Sequence, residues 1–152
     1  MARLVPNTGN ERVIDEVRSG LTAGTLFDVC TSALSIYAFA NLGPELKRVS
    51  SARVALQSDA INAQKLAGGP ADRSARNRLS ARAAARGFAS WIGASAAVRA
   101  TSSALPQSVL IVRPGAGEPR ATVGSCPFTT EGLGVTPGNQ FGFVQAAHGP
   151  ES

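Results

Sequence analysis

Short apolar runs bounded by glycine, proline and asparagine alternate along this chain with longer segments whose apolar residues recur every three or four positions. That alternation is what strands joined by crossover helices produce, and it points to an α/β domain with a mixed β-sheet flanked by helices. Arg3-Leu4-Val5 reads as a short strand stopped by Pro6, followed by turn and N-cap chemistry at Asn7 to Asn10. From Glu11 to Leu21, Val13, Ile14, Val17 and Leu21 fall at helical spacing, with the acids early, where a helix dipole favours them. Leu26 to Cys30 reads as a buried strand. Leu34 to Val49 is a second helical segment, which Pro44 is expected to break or to restart.

Arg53 to Gln57 alternates as a strand, and Ser58 to Pro70, with Gly68-Gly69-Pro70, reads as a flexible connection. The longest helical segment runs from Ala71 to Ile92. Val98 to Ala100, Ser108 to Arg113 and Ala121 to Val123 follow as strands, the last two joined by a turn-rich Pro114 to Pro119. A loop rich in Gly and Thr from Ser125 to Asn139 leads to a final strand, Gln140 to Gln145. The expected domain is therefore residues 1–145, with 146–152 a disordered tail.

A chain of 152 residues suits one domain, and a domain of that size buries roughly 70% of its unfolded surface. With one Trp, one Tyr and six Phe, its core must come mainly from Leu, Val, Ile and Ala. Cys30 and Cys126 are too few for a disulfide framework or a metal site, and no cofactor motif is present. No secretory leader is evident, and no apolar run reaches the ~18 residues a membrane span requires. The expectation is a cytoplasmic protein without membrane, metal or cofactor.

The net charge of +5 puts polyanions among the partners, against the alternative of a basic surface that only keeps the protein soluble. The arginines are concentrated. Arg78, Arg82 and Arg86 stand one helical turn apart, and Arg73 and Arg76 extend the row toward the N-terminus. Such a row can follow a phosphate backbone, each contact adding to a salt-dependent affinity. After Asp72 no acid follows within this segment, so internal ion pairs do not explain the row. A solvated face on an alanine-rich helix is the competing explanation.

The stretch Ala121-Thr122-Val123-Gly124-Ser125-Cys126-Pro127-Phe128-Thr129-Thr130-Glu131-Gly132-Leu133-Gly134 runs a strand into a Gly-Ser bend. Small residues there let backbone approach a ligand, and hydroxyls with amides suit phosphate. By spacing alone the signal is weak and the stretch reads as an ordinary loop, because the Walker pattern is absent. The stretch resembles the phospholipase D superfamily, in which a strand ends in Gly-Ser-x-Asn, then an apolar residue and Thr, often followed by Gly-Leu. Gly124, Ser125, Phe128, Thr129, Gly132 and Leu133 match, and Asn139-Gln140-Phe141 is similar to the Asn that follows. The opening, Asn7 to Leu21 and then Asp28-Val29, is similar to phospholipase D-like modules at the front of some bacterial DEAD/DEAH-box helicases.

The resemblance implies a single phospholipase D-like half-domain, with Gly124, Ser125, Thr129 and Asn139 as a remnant phosphate site. It also implies a His-x-Lys pair on the preceding strand, where this chain has Gln107 and Val109. In the family a His forms a phosphohistidine intermediate and a second His protonates the leaving group; Gln and Val do neither. Pro127 replaces the motif Asn, and the one histidine, His148, falls in the expected tail. The reading is a non-catalytic domain that binds nucleic acid (DNA ahead of RNA) through Arg73, Arg76, Arg78, Arg82 and Arg86, accessory to a helicase or nuclease. Because active members combine two motif sets, a homodimer is compatible with it. Two alternatives stand beside it. One is a protein-interaction scaffold, which an exposed patch at Phe39 or Trp91 would favour; the other is a phosphodiesterase using Ser125, Thr129 or Cys126.

Overall fold

A computed structural model of the chain describes residues 2–73, 78–137 and 143–149. Seven strands form one mixed sheet: β1 (Ala2–Leu4), β2 (Leu26–Thr31), β3 (Ser51–Gln57), β4 (Ala96–Thr101), β5 (Ser108–Arg113), β6 (Arg120–Gly124) and β7 (Val144–His148). Their order across the sheet is β1-β7-β6-β5-β2-β3-β4. β2, β3 and β4 are parallel, while β5, β6 and β7 form an antiparallel meander inserted between β1 and β2. The helices are α1 (Val13–Arg18), α2 (Ile36–Leu46), α3 (Ala63–Leu66), α4 (Pro70–Arg73) and α5 (Arg78–Ala94).

Handedness decides which side of the sheet the helices occupy. β1, β2, β3 and β4 point the same way, and each step from one to the next moves in the same direction across the sheet. Right-handed crossovers therefore put the connecting helices on one common face. Burial along the strands agrees. Phe27, Val29, Val54, Leu56, Leu110, Val112, Val144 and Ala146 are buried toward that face. There they meet Val13, Ile14 and Val17 of α1, Ala38, Phe39 and Leu42 of α2, and Trp91 of α5. The alternate strand residues, among them Asp28, Cys30, Arg53, Ala55, Val109 and Ile111, point to the other face, which no described helix covers.

Phe39 and Trp91 are core residues that pack with Phe88, edge-on for Phe39–Phe88 (ring centroids 5.5 Å apart) and tilted for Phe39–Trp91 (5.2 Å). They present no exposed patch.

Several boundaries differ from the sequence reading. Pro44 neither breaks nor restarts its helix, because α2 runs through it to Leu46. Pro44 and Ala40, whose carbonyl loses its usual donor, both lie on the exposed side, so the loss is borne next to solvent. The expected connection Ser58–Pro70 holds a 3-10 turn at Ser58–Ala60 and the short α3. The expected helix Ala71–Ile92 is described as α4 and α5, with 74–77 outside the described residues. The last strand is Val144–His148 rather than Gln140–Gln145, so the expected boundary at 145 falls inside it. β7 is held on both sides, by β1 and β6, and Ala146 is buried, which is why residues 146–148 belong to the sheet and not to a tail. Residues 150–152 lie outside the described residues.

Candidate functional site

The Gly-Ser loop sits where the carboxyl ends of β2, β3 and β6 meet the start of β5. Ser108 pairs with Gly124 in register, so Gln107 and Ser125 leave the sheet side by side. Thr31, the last residue of β2, is fully buried and ties the loop down. Its hydroxyl donates to the Ala33 carbonyl (2.7 Å), lies 3.2 Å from the Ser108 hydroxyl and accepts the Phe128 N–H at 3.0 Å. The Phe128 ring is driven into the core against Phe27, while its carbonyl accepts the N–H of Ser35, the residue before α2, at 2.9 Å. The apolar residue three places after the Gly-Ser bend is thus an anchor.

Asp72, in α4, fixes the next segment. It is 4% exposed, and its carboxylate accepts the Thr130 N–H (3.1 Å), the Thr130 hydroxyl (2.8 Å) and the Gly69 N–H (3.0 Å). Burial pushes this carboxyl up, but the donors from Thr130, Ser35 and Gly69 together outweigh it and hold the group below the usual carboxylate range. Asn7 closes the loop from the other side. In a left-handed conformation (φ 60°), it accepts the Val13 N–H at the start of α1 (2.9 Å) and donates to the Gly132 carbonyl (3.0 Å). One buried amide therefore caps α1 and holds the Gly-Leu-Gly turn.

The glycines of the motif serve this packing. A Cβ on Gly132 would run into the Pro127 backbone, and one on Gly124 (φ 137°) into the Phe143 carbonyl. The loop's amides are also turned inward. Ser125 donates to Phe143 (2.8 Å), Cys126 to Gly124 (2.9 Å), Thr129 to Pro127 (2.7 Å) and Leu133 to Thr129 (2.9 Å). The backbone donors that would cradle a phosphate are thus engaged by the protein's own carbonyls.

Of the motif residues, Gly124, Ser125 and Thr129 come together at one end of the sheet, with Gly124 buried and Ser125 exposed. Asn139 lies outside the described residues. Thr129 also borders a cleft of about 510 Å³ at the ends of β2 and β3, with Ser32, Gln57, Asp59, Lys65 and Gly69 on its walls. Val109, in the place of the family's Lys, belongs to the uncovered sheet face. Cys126 is buried and its thiol is pushed up to about 12 by burial, so it is no thiolate nucleophile near neutral pH. His148 stands in β7 rather than in a tail, its Nε2 3.3 Å from Glu16. Burial, with Arg120 and Arg3 nearby, keeps it below the usual histidine range. Among the described residues no cluster of three His, Cys, Asp or Glu could hold a metal ion, and no described helix is long and apolar enough to cross a membrane.

Of the arginine row, Arg82 and Arg86 are exposed on α5, away from Ala84, Trp91 and Ile92, which face the core. Neither has a carboxylate partner among the described residues. Arg73 lies in α4 and Arg78 opens α5, with their side chains outside what is described, as is all of Arg76. Sequence reasoning missed Asp72 and Asn7 as the residues that shape the loop; an acid two residues after Gly-Gly-Pro was the one available signal for the first.

No protein-family model matches the chain, and no curated protein matches it. Among solved structures it is similar to yeast tyrosyl-DNA phosphodiesterase. That likeness is 14% identity over 88% of this chain and 27% of that one, with a TM-score of 0.45. A mutant of the yeast enzyme gives 12% identity, 96% and 31% coverage and a TM-score of 0.49. The chain thus spans less than a third of the length of these structures.

Proposed function

We propose that this chain is a non-catalytic phospholipase D-like domain that binds nucleic acid, DNA ahead of RNA, through the outward face of α5. The observation that carries the reading is the pair Arg82 and Arg86: exposed, one helical turn apart, and without carboxylate partners among the described residues. A guanidinium row of this spacing is suited to successive phosphates, and Arg73, Arg76 and Arg78 are its proposed continuation. The resemblance of Val123 to Gly134 to the family motif, with that of Asn7 to Leu21 and Asp28-Val29 to helicase-associated modules, supports a role beside a helicase or nuclease.

Absence of catalysis is supported by what occupies the motif positions. Gln107 and Val109 offer neither nucleophile nor charge, Pro127 offers no amide, and the Cys126 thiol is buried. Gly124, Ser125 and Thr129 then serve chiefly to shape the sheet end, with the Ser125 and Thr129 hydroxyls as its contribution to an anion. The test is fluorescence anisotropy with labelled single- and double-stranded DNA and RNA across a salt series, for the protein and an Arg78/Arg82/Arg86→Ala variant. Salt-sensitive binding lost in the variant supports the reading. Absence of binding at low salt, or binding indifferent to the variant, overturns it.

A further inference from the structure

The uncovered face of the sheet is not a uniform polar surface. Its middle is small and apolar: Cys30 and Ala55 pair in register on β2 and β3, Ala97 stands on β4 opposite Arg53, and with Val109 and Ile111 they line a trough of about 460 Å³. Parallel strands are ordinarily covered on both faces. Here the three parallel strands have described helices on one side only, because every crossover steps the same way across the sheet.

The rim of the trough is charged, with one sign in excess. Arg53 and Arg113 both clasp Asp28, whose carboxyl they hold below the usual carboxylate range, the Arg53 hydrogen bond being the largest cause. Arg99, exposed and next to Ala55 in register, has no carboxylate partner among the described residues. Three arginines thus face one carboxylate around an apolar floor.

From this arrangement we infer that the uncovered sheet face is the docking surface for an amphipathic helix with acidic flanks, supplied by a partner polypeptide. The small side chains of Cys30, Ala55 and Ala97 leave room for large apolar residues from such a helix, and its acids meet Arg53, Arg99 and Arg113. A second copy of this chain is the wrong occupant. Face to face, two copies would set arginine against arginine, and like charges in a desolvated contact oppose association. The inference goes beyond the nucleic-acid reading and is independent of it, since α5 lies on the opposite side of the sheet.

Cys30 supplies the readout. It is half-buried in the trough, whereas Cys126, the other cysteine, is fully buried. The probe is a synthetic helical peptide of about 18 residues, five turns, with Leu on one stripe and Glu on its flanks. Its binding is followed by anisotropy and by the rate at which Ellman's reagent modifies Cys30 in the intact protein. Controls are the same stripe flanked by Lys, a scrambled acidic peptide, a DNA duplex, and dilution of the protein alone. The acidic peptide is expected to slow Cys30 modification about tenfold when bound in excess over its Kd, and Arg99→Glu to weaken binding about fivefold. Arg99→Glu breaks no hydrogen bond or ion pair among the described residues, so an unchanged melting curve certifies its fold. The inference is overturned if the acidic peptide leaves the Cys30 rate unchanged, or if the Lys-flanked or scrambled peptide protects equally. Protection by DNA, which would make this a nucleic-acid face, or acceleration on dilution, which would make the occupant a second copy, overturns it too.

Discussion

Replacing Asp72 by alanine removes the acceptor of two hydrogen bonds from Thr130 that join α4 to the loop after β6 and of a local one from Gly69, and the structure sets how much each loss matters. The Thr130 N–H (3.1 Å) is the costly one: Thr130 is 4% exposed, so its amide is left unsatisfied in the interior, at about 1–3 kcal/mol. The Thr130 hydroxyl loses less, because the Thr136 hydroxyl still lies 3.1 Å away. Gly69 is exposed, so its N–H can be rehydrated. The sum is about 2–3 kcal/mol, which in a domain of this size lowers Tm by roughly 4–12 °C.

Asp72→Asn keeps the volume and one acceptor oxygen, and should lose about half as much. The pH dependence has a definite sign. The folded-state carboxyl lies below its unfolded value, so its contribution is complete above the unfolded pKa of about 3.9 and is lost as pH falls through the folded pKa. The gap between wild type and Asp72→Ala should therefore be full at neutral pH and close below about pH 4. Thermal melts followed by circular dichroism, repeated across pH, measure it. A Tm change under about 1 °C at neutral pH, or a gap that widens on acidification, would refute the assigned role of Asp72.

Three further outcomes follow from the same geometry. Gly132→Ala should destabilise by about 2 kcal/mol or more, because its Cβ meets Pro127 backbone that cannot swing aside; urea titration measures it. Asn7→Ala should cost about 2–3 kcal/mol and Asn7→Gly visibly less, since glycine accepts the left-handed φ although both variants lose the α1 cap; equal losses in urea titration would remove backbone strain from the account. Ellman's reagent should modify one thiol promptly in the native protein and the second only after denaturation, because Cys126 is buried and its thiol pushed up to about 12.

The elements legible in the sequence were those with strong local signals. The apolar run from Val109 to Val112, bounded by Ser108 and Arg113, gave β5 its observed limits, and the spacing of Val13, Ile14 and Val17 gave the buried face of α1. Pro44 misled because propensity describes an isolated helix, whereas α2 is held by the burial of Phe39, Leu42 and Leu46 and keeps its proline on the solvent side. The final strand shifted along the chain because β7 is defined by partners on both sides, β1 and β6, and its register is set by pairing rather than by composition.

The loop was found by its motif, but its internal logic was not. Asp72 and Thr130 are 58 residues apart, and Asn7 and Gly132 are 125 apart, so each pair is visible only once the chain is folded. The uncovered face was hidden for a different reason. It follows from strand order and crossover handedness together, and strand order is not written in local pattern.

The central claim is that α5 binds nucleic acid through its arginines, and the salt dependence of duplex-DNA affinity tests it most directly. Each phosphate neutralised contributes about 0.9 to the slope of log K against log salt, so Arg82→Ala/Arg86→Ala should flatten that slope by about 1.8 and weaken binding at every salt concentration. A slope unchanged by the double variant, or no affinity for DNA at low salt, would contradict the claim.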